Sequence, residues 1–216
     1  MCSATQSPPR PEGVRPPAEA GVPGREPAPG VLRLVQEFLN THDIEAEVDQ
    51  LGSPQAAMGW FSRHKLIETE GSIGRAEWSR AREAREALRL LLMVNDRRGP
   101  VDPGVLQRLN QVAARSRFAL RFVGDGQAQL EPTSKGVDAA VGWVLAAALT
   151  AMSEGTWSRL KICHRESCRW AFYDHSRNQS GKWCSMEICG NRTKVEAYRR
   201  RRSRASRGFR AEEAWP

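Results

Sequence analysis

The sequence predicts a mainly α protein with one small β-hairpin, built as a helical N-terminal domain followed by a small C-terminal module organised around cysteines. Three observations carry this prediction. Helical apolar spacing or a helix-start signal recurs in five stretches between residues 31 and 153. A segment at 117–131 alternates apolar and polar side chains around a glycine-rich turn. Four of the five cysteines, Cys163, Cys168, Cys184 and Cys189, fall within 27 residues near the C-terminal end.

Residues 1–30 hold eight of the 13 prolines and almost no large apolar side chains. Such a segment cannot bury enough surface to offset chain entropy, so a disordered leader is expected. It contains no apolar run that would read as a secretory signal, which points to a cytoplasmic location and reduced thiols. In that setting clustered cysteines favour a metal over disulfides.

The helical domain is expected over 31–156. In "VLRLVQEFLNT", Leu32, Leu34, Val35, Phe38 and Leu39 share helical spacing, and Asn40, Thr41 and Asp43 are expected to end that helix and start the next turn. "SPQAAMGWFSRHKLI" opens with Ser53 as an N-cap and Pro54 at the first helical position. A longer helix from about Arg75 to Asn95 places Trp78, Ala81, Leu88, Leu91 and Leu92 inward and Arg80, Arg82, Glu83, Arg85, Glu86 and Arg89 outward. Asp102 and Pro103 repeat the start signal.

Next, Phe118, Leu120 and Phe122 alternate with Arg117, Ala119 and Arg121 ahead of Gly124-Asp125-Gly126, a hairpin signal. The last helix of the domain, from about Ser134 to Ser153, is apolar on nearly every side through Val137, Val141, Trp143, Val144, Leu145, Leu149 and Met152, and is expected at the centre. Its apolar run, Ala139 to Met152, is 14 residues, short of the ~20 that span a bilayer. A soluble protein is expected.

No glycine-rich phosphate loop, G-x-S-x-G or H-E-x-x-H pattern is present. The catalytic candidates are His42 beside Asp43, and His64. Neighbours in sequence point their side chains apart and do not make a dyad, so no enzymatic activity is expected.

The net charge of +8 is unevenly spread: residues 157–210 carry 15 Lys or Arg against four acids, and the rest of the chain 18 against 21. The excess positive charge lies in the cysteine-bearing segment, and a polyanion is the expected partner. There, "KICHRESCRW" gives a C-x4-C pair, "WAFYDHSRNQSGKWC" suggests a short hairpin through Trp170, Phe172 and Trp183, and "CSMEICGNRTK" carries the second C-x4-C pair into a basic helix. Cysteines across a tight turn and at a helix start can converge, and four thiolates suit Zn2+. An iron–sulfur cluster also takes four thiolates, and His164 or His175 could replace a cysteine or remain at the periphery.

These residues resemble the CGNR zinc-finger proteins with an N-terminal ABATE domain. The resemblance is carried by Cys189, Gly190, Asn191 and Arg192, preceded by Cys163, Cys168, Trp170, Phe172, Asp174, Ser176, Arg177, Asn178, Trp183, Cys184 and Met186. "LVQEFLNTHD" is similar to the family's opening element, with Glu37 where aspartate is usual and Leu39 in place of valine. The resemblance implies a treble-clef-like zinc finger over 157–203, followed by a basic tail over 204–216, and a stress-linked transcription regulator that binds DNA without catalysis.

The expected nucleic-acid contacts are Arg192, Lys194, Arg199, Arg200, Arg201 and Arg202, since guanidinium and ammonium groups on phosphate release counterions. Asn191 is expected to brace the metal site by bonding a backbone group, and Arg192 has a competing role as a partner of Asp174 or Glu187. Trp170, Tyr173 and Trp183 either stack on bases or form a small core over the metal. RNA and an acidic protein remain alternatives to DNA. A homodimer, and a small-molecule or protein effector acting near Trp60, Phe61, Trp78 and Trp143, complete the expectations.

Overall fold

The computed structural model describes residues 25–212 apart from 68–70, 97–98 and 125, with side chains described up to residue 202. Helix α1 (Leu32–Leu39) buries Leu32, Val35, Phe38 and Leu39. A two-residue pair, β1 (His42–Asp43) and β2 (Val48–Asp49), then turns the chain back antiparallel. α2 (Pro54–Arg63) starts where the sequence signal places it, with Ser53 Oγ accepting the Ala56 N–H at 3.1 Å. α3 (Arg75–Leu92) continues into a 3-10 turn, Met93–Asp96. α4 (Pro103–Ser116) is capped by Asp102, which accepts the Gly104 N–H at 2.7 Å.

The hairpin forms as β3 (Phe118–Phe122) and β4 (Ala128–Pro132), with Leu120 opposite Leu130. Of its expected Gly-Asp-Gly turn, Asp125 lies outside the described residues. α5 (Gly136–Ser153) follows and packs against α1, α3 and α4. A Cβ at Gly142 would stand 2.8 Å from Pro132 and 2.9 Å from Ser116, so glycine is what lets the hairpin close onto α5. By length and composition α5 could cross a membrane, but Val137, Ala140, Val141 and Val144 are buried in the protein's own core. Leu149 and Met152, expected inside, are 46% and 41% exposed at the end of the helix.

Two outward assignments on α3 are corrected. Arg85 is 1% and Arg89 2% exposed. Arg85 forks onto Asp49 at 2.6 and 3.0 Å and reaches Thr41 Oγ1 at 3.0 Å. Arg89 donates to the carbonyls of Leu39 at 2.5 Å and Arg169 at 2.7 Å. A buried guanidinium is tolerated where its charge and donors are met, and here both arginines fasten α3 to neighbouring chain.

The C-terminal module is docked on this domain through a shared core. Its hairpin pairs β5 (Leu160–Ile162) with β6 (Ala171–Tyr173) antiparallel, Lys161 facing Phe172. This corrects the expected hairpin over 170–183: β6 pairs upstream, and residues 174–183 form a loop. Leu160, Ile162 and Ala171 join the main core, while Phe172 turns to the cysteines. Asn40 does more than end α1: its amide donates to the Ala171 carbonyl and accepts the Ala171 N–H, both at 2.8 Å, so one side chain pairs with β6 as a strand would.

The segment 25–30, counted with the leader in the sequence, packs on the fold: Ala28 is 3% exposed and its N–H reaches Gln36 Oε1 at 2.5 Å. Residues 1–24 lie outside the described residues. At the other end α6 (Asn191–Glu212) runs into the segment 204–216 where a tail was expected.

Candidate metal centre

The four cysteines arrive from two structural devices. Cys163 directly follows β5 and Cys168 directly precedes the return to β6, in a turn closed by Cys168 N–H to Arg165 O at 2.9 Å and Cys163 N–H to Trp170 O at 2.9 Å. Cys184 ends the loop from β6, and Cys189 lies in a single π-helical turn, Met186–Gly190, that leads into α6. The carbonyl of Ser185 accepts both the Cys189 N–H at 2.9 Å and the Gly190 N–H at 3.1 Å, which makes that wide turn. Cys189 was expected inside the helix; it stands one turn ahead of it.

All four Sγ atoms lie within 4.8 Å of one another, with Cys168–Cys184 at 3.7 Å and Cys184–Cys189 at 3.6 Å. A tetrahedral metal with sulfur at ~2.3 Å sets neighbouring sulfurs about 3.8 Å apart, so the thiols are already spaced for it. Each is free of disulfide and at most 2% exposed. Hydrogen bonds from Cys168 and Cys184 hold the Cys163 thiol down at about 4 against its burial. The thiols of Cys168 and Cys184 are pushed up by the Cys163 thiolate beside them, and burial adds to the rise. A cation between them is what would let all four sulfurs bind as thiolates at once.

Asp174 organises the loop between β6 and Cys184. Its Oδ2 accepts Lys161 Nζ at 2.8 Å and the Gly181 N–H at 2.8 Å, and its Oδ1 the Ser176 N–H at 3.0 Å. Burial raises this carboxyl, and those hydrogen bonds outweigh it and hold the group at about 2. A Cβ at Gly181 would come 2.9 Å from the carboxylate. Gly181→Ala is therefore expected to lower stability by about 1–3 kcal/mol, the range for overpacking, read as a lower thermal midpoint of the metal-loaded chain. Gly190 has a similar reason: its Cβ would meet the Met186 side chain and come 3.2 Å from Trp183.

The aromatics resolve towards packing. Phe172, Trp170, Trp183 and Ile188 surround the cysteines, and Tyr173 packs on the main core. His164 Nε2 is 3.4 Å from Asp96 and its ring meets Trp183 edge-on, while His175 is exposed against Tyr173. Neither histidine belongs to the thiol cluster. His42 Nδ1 faces Glu86 at 3.5 Å, Asp43 accepts the Ala46 N–H at 3.0 Å, and His64 stacks on Trp60 and reaches Glu37 at 3.2 Å. These three residues are spread over separate structural contacts. Trp60 and Phe61 fill the core, and two clefts among the described residues, of about 870 and 320 Å³, are lined elsewhere, by residues that include Arg115, Lys135 and His164.

On α6, Arg192, Lys194, Arg199, Arg200, Arg201 and Arg202 are all exposed, as is Asn191 at the first helical position. Arg192 pairs with Glu45 in the turn between β1 and β2, rather than with Asp174 or Glu187. Glu45 also holds Arg165 at 2.6 Å, and Arg25 lies over the Trp170 ring at 4.7 Å. Arg25, Glu45 and Arg165 escaped the sequence argument because their partners are remote in the chain. The charged run "DIEAEVD" facing a basic module is the one signal that could have pointed to Glu45.

Fold and site together define a helical domain with a four-cysteine metal finger docked on it. Residues 159–202 match the CGNR zinc finger, and residues 32–155 match ABATE, a family described as "Putative stress-induced transcription regulator". With more than half its length matched, the chain belongs to the ABATE family, and its CGNR finger follows in the expected order. No curated protein matches the chain.

Proposed function

We propose that this protein is a zinc-dependent, DNA-binding transcription regulator of the cytoplasm, in which the finger presents α6 to nucleic acid and the helical domain receives a signal. The observation that carries this reading is the exposed cationic face of α6, anchored at its origin by the four-thiol site. Cys163, Cys168, Cys184 and Cys189 would hold the zinc, which supplies a redox-inert cross-link between the hairpin and the start of α6. Binding without catalysis belongs to the same reading.

Backbone contacts through Arg192, Lys194 and Arg199–Arg202 supply affinity, and sequence selection requires side chains at base edges, where asparagine suits adenine and arginine guanine. Asn191 and Arg192, early in α6, are the candidates for that task. Asn191 is equally placed to brace the turn that carries Cys189.

Binding of zinc-loaded protein to a labelled DNA duplex tests this. Six phosphate contacts are expected to cost about 10³-fold in affinity between ~50 and ~200 mM salt. Stronger competition by structured RNA would reassign the polyanion. No binding to either at the lower salt would remove the nucleic-acid reading in favour of an acidic protein partner.

A further inference from the structure

Glu45 lies at the tip of an acidic turn of the helical domain, between β1 and β2, and reaches across 147 positions of sequence to Arg192. The same carboxylate oxygen accepts Arg165 Nη1 at 2.6 Å. Arg25 lies farther back, with the Cys184 thiol as its main partner. Burial raises the Glu45 carboxyl, yet the hydrogen bond from Arg165 and the charges of Arg165, Arg192 and Arg25 together bring it below its ordinary value. Two guanidiniums from separate parts of the chain thus share one carboxylate oxygen, and Glu196 stands 3.8 Å from Arg165 as a second, looser partner.

Their donors outnumber what that carboxylate can take. The Nε of Arg165 is buried without a hydrogen-bond partner among the described residues. Buried N–H groups are costly to leave unmet, and a tetrahedral oxyanion offers more acceptor oxygens than one carboxylate oxygen does. Arg192 stays 52% exposed, so the cluster is open on the side where α6 begins.

We propose that Arg165 and Arg192 form one phosphate-binding site, occupied in this conformation by Glu45 and opened to a phosphate of the nucleic-acid backbone when the acidic turn gives way. The site deepens the nucleic-acid reading and rests on it for its natural ligand. Its consequence is regulatory: whatever moves the turn between β1 and β2 exchanges an internal anion for an external one. Arg165 stands between Cys163 and Cys168 in the chain, so the exchange takes place beside the four-thiol site. Glu45 itself touches no cysteine, and its substitution leaves the thiols unaltered.

The test uses the full-length, zinc-loaded chain and inorganic pyrophosphate as the probe, followed by calorimetry at low salt. Glu45→Gln is expected to bind pyrophosphate about tenfold more tightly than wild type, and adding Arg165→Gln is expected to abolish that gain, because the charge-assisted bonds are lost. Equal pyrophosphate affinity in wild type and Glu45→Gln, at equal metal content, overturns the site. A second arm measures DNA duplex binding of both proteins across salt, where Glu45→Gln is expected to bind more tightly with a salt slope steeper by about one contact. A gain for pyrophosphate with no DNA binding by either protein keeps the phosphate site and removes the nucleic-acid reading. DNA binding that Glu45→Gln leaves unchanged, with no gain for pyrophosphate, overturns the site and leaves the nucleic-acid reading standing.

Discussion

Chelating the metal from the full chain is expected to dissolve the finger's loops and detach the origin of α6, while the helical domain keeps its fold. The division follows from which residues belong to which core. Leu160, Ile162 and Ala171 of the finger's hairpin are buried with α1, α3 and α5, and Asn40 fastens β6 independently of any thiol. The other cluster holds the four cysteines, Phe172 and three half-buried apolar neighbours, too little surface to order residues 163–190 by itself.

Structural zinc in finger peptides contributes ~10–16 kcal/mol of binding free energy, which is also folding free energy. Cys184→Ser is expected to act like the chelator, because two of its neighbouring sulfurs stand at 3.6 and 3.7 Å from it and their arrangement depends on it. Metal content falling from one per chain towards zero, with protection from hydrogen exchange lost over 163–170 and 174–190 and kept over α1, α3, α5 and β6, is the expected record. Acid should have the same effect, since protons compete for the thiolates and metal affinity falls as pH falls. Loss of protection throughout the chain would mean that the helical domain depends on the metal, contrary to the core assignment.

Local signals in the sequence located most of the helical domain. Ser53 with Pro54, and Asp102 with Pro103, announce helix starts because an N-cap satisfies backbone donors within three residues. The cysteine set was equally legible, since two C-x4-C pairs within 27 residues suit a single metal. What escaped was set by distance. Arg85 reads as an outward charge on α3, and only its Asp49 partner 36 positions away makes it an interior one. Three residues of β5 carry too little pattern to be recognised as a strand until β6 pairs with them. Asn40 looks like an ordinary helix-ending residue, and its use as a surrogate strand depends on a carbonyl 131 positions on. The finger's docking onto the domain was thus the least legible part, because it consists of such long-range pairings.

Lys161→Met is expected to be the most destabilising substitution outside the cysteines. Lys161 is 3% exposed and faces two carboxylates, Asp174 at 2.8 Å and Asp96 at 3.6 Å, each with its side chain at most 4% exposed. It also donates to the Gln179 carbonyl at 2.5 Å, so one ammonium joins the turn after α3 to the loop that delivers Cys184. Methionine fits the space and removes the ammonium that Asp174 and Asp96 share, leaving the buried Asp174 without its cation, a loss of about 3–5 kcal/mol. Thermal or denaturant unfolding of the metal-loaded chain at neutral pH measures it. Adding Asp174→Asn removes that stranded charge, and the double variant is expected to recover part of the deficit.

The pH response carries a sign as well. In the wild type, the Asp174 carboxyl at about 2 lies below its ordinary 3.8. Its contribution is therefore fully present above 3.8 and lost as pH falls through about 2. In Lys161→Met the main force lowering that carboxyl is gone and burial acts to raise it, so the variant takes up its proton at higher pH and its deficit narrows as acid is added. A deficit that the double variant fails to reduce, and that pH leaves constant, would show Lys161 acting through packing alone.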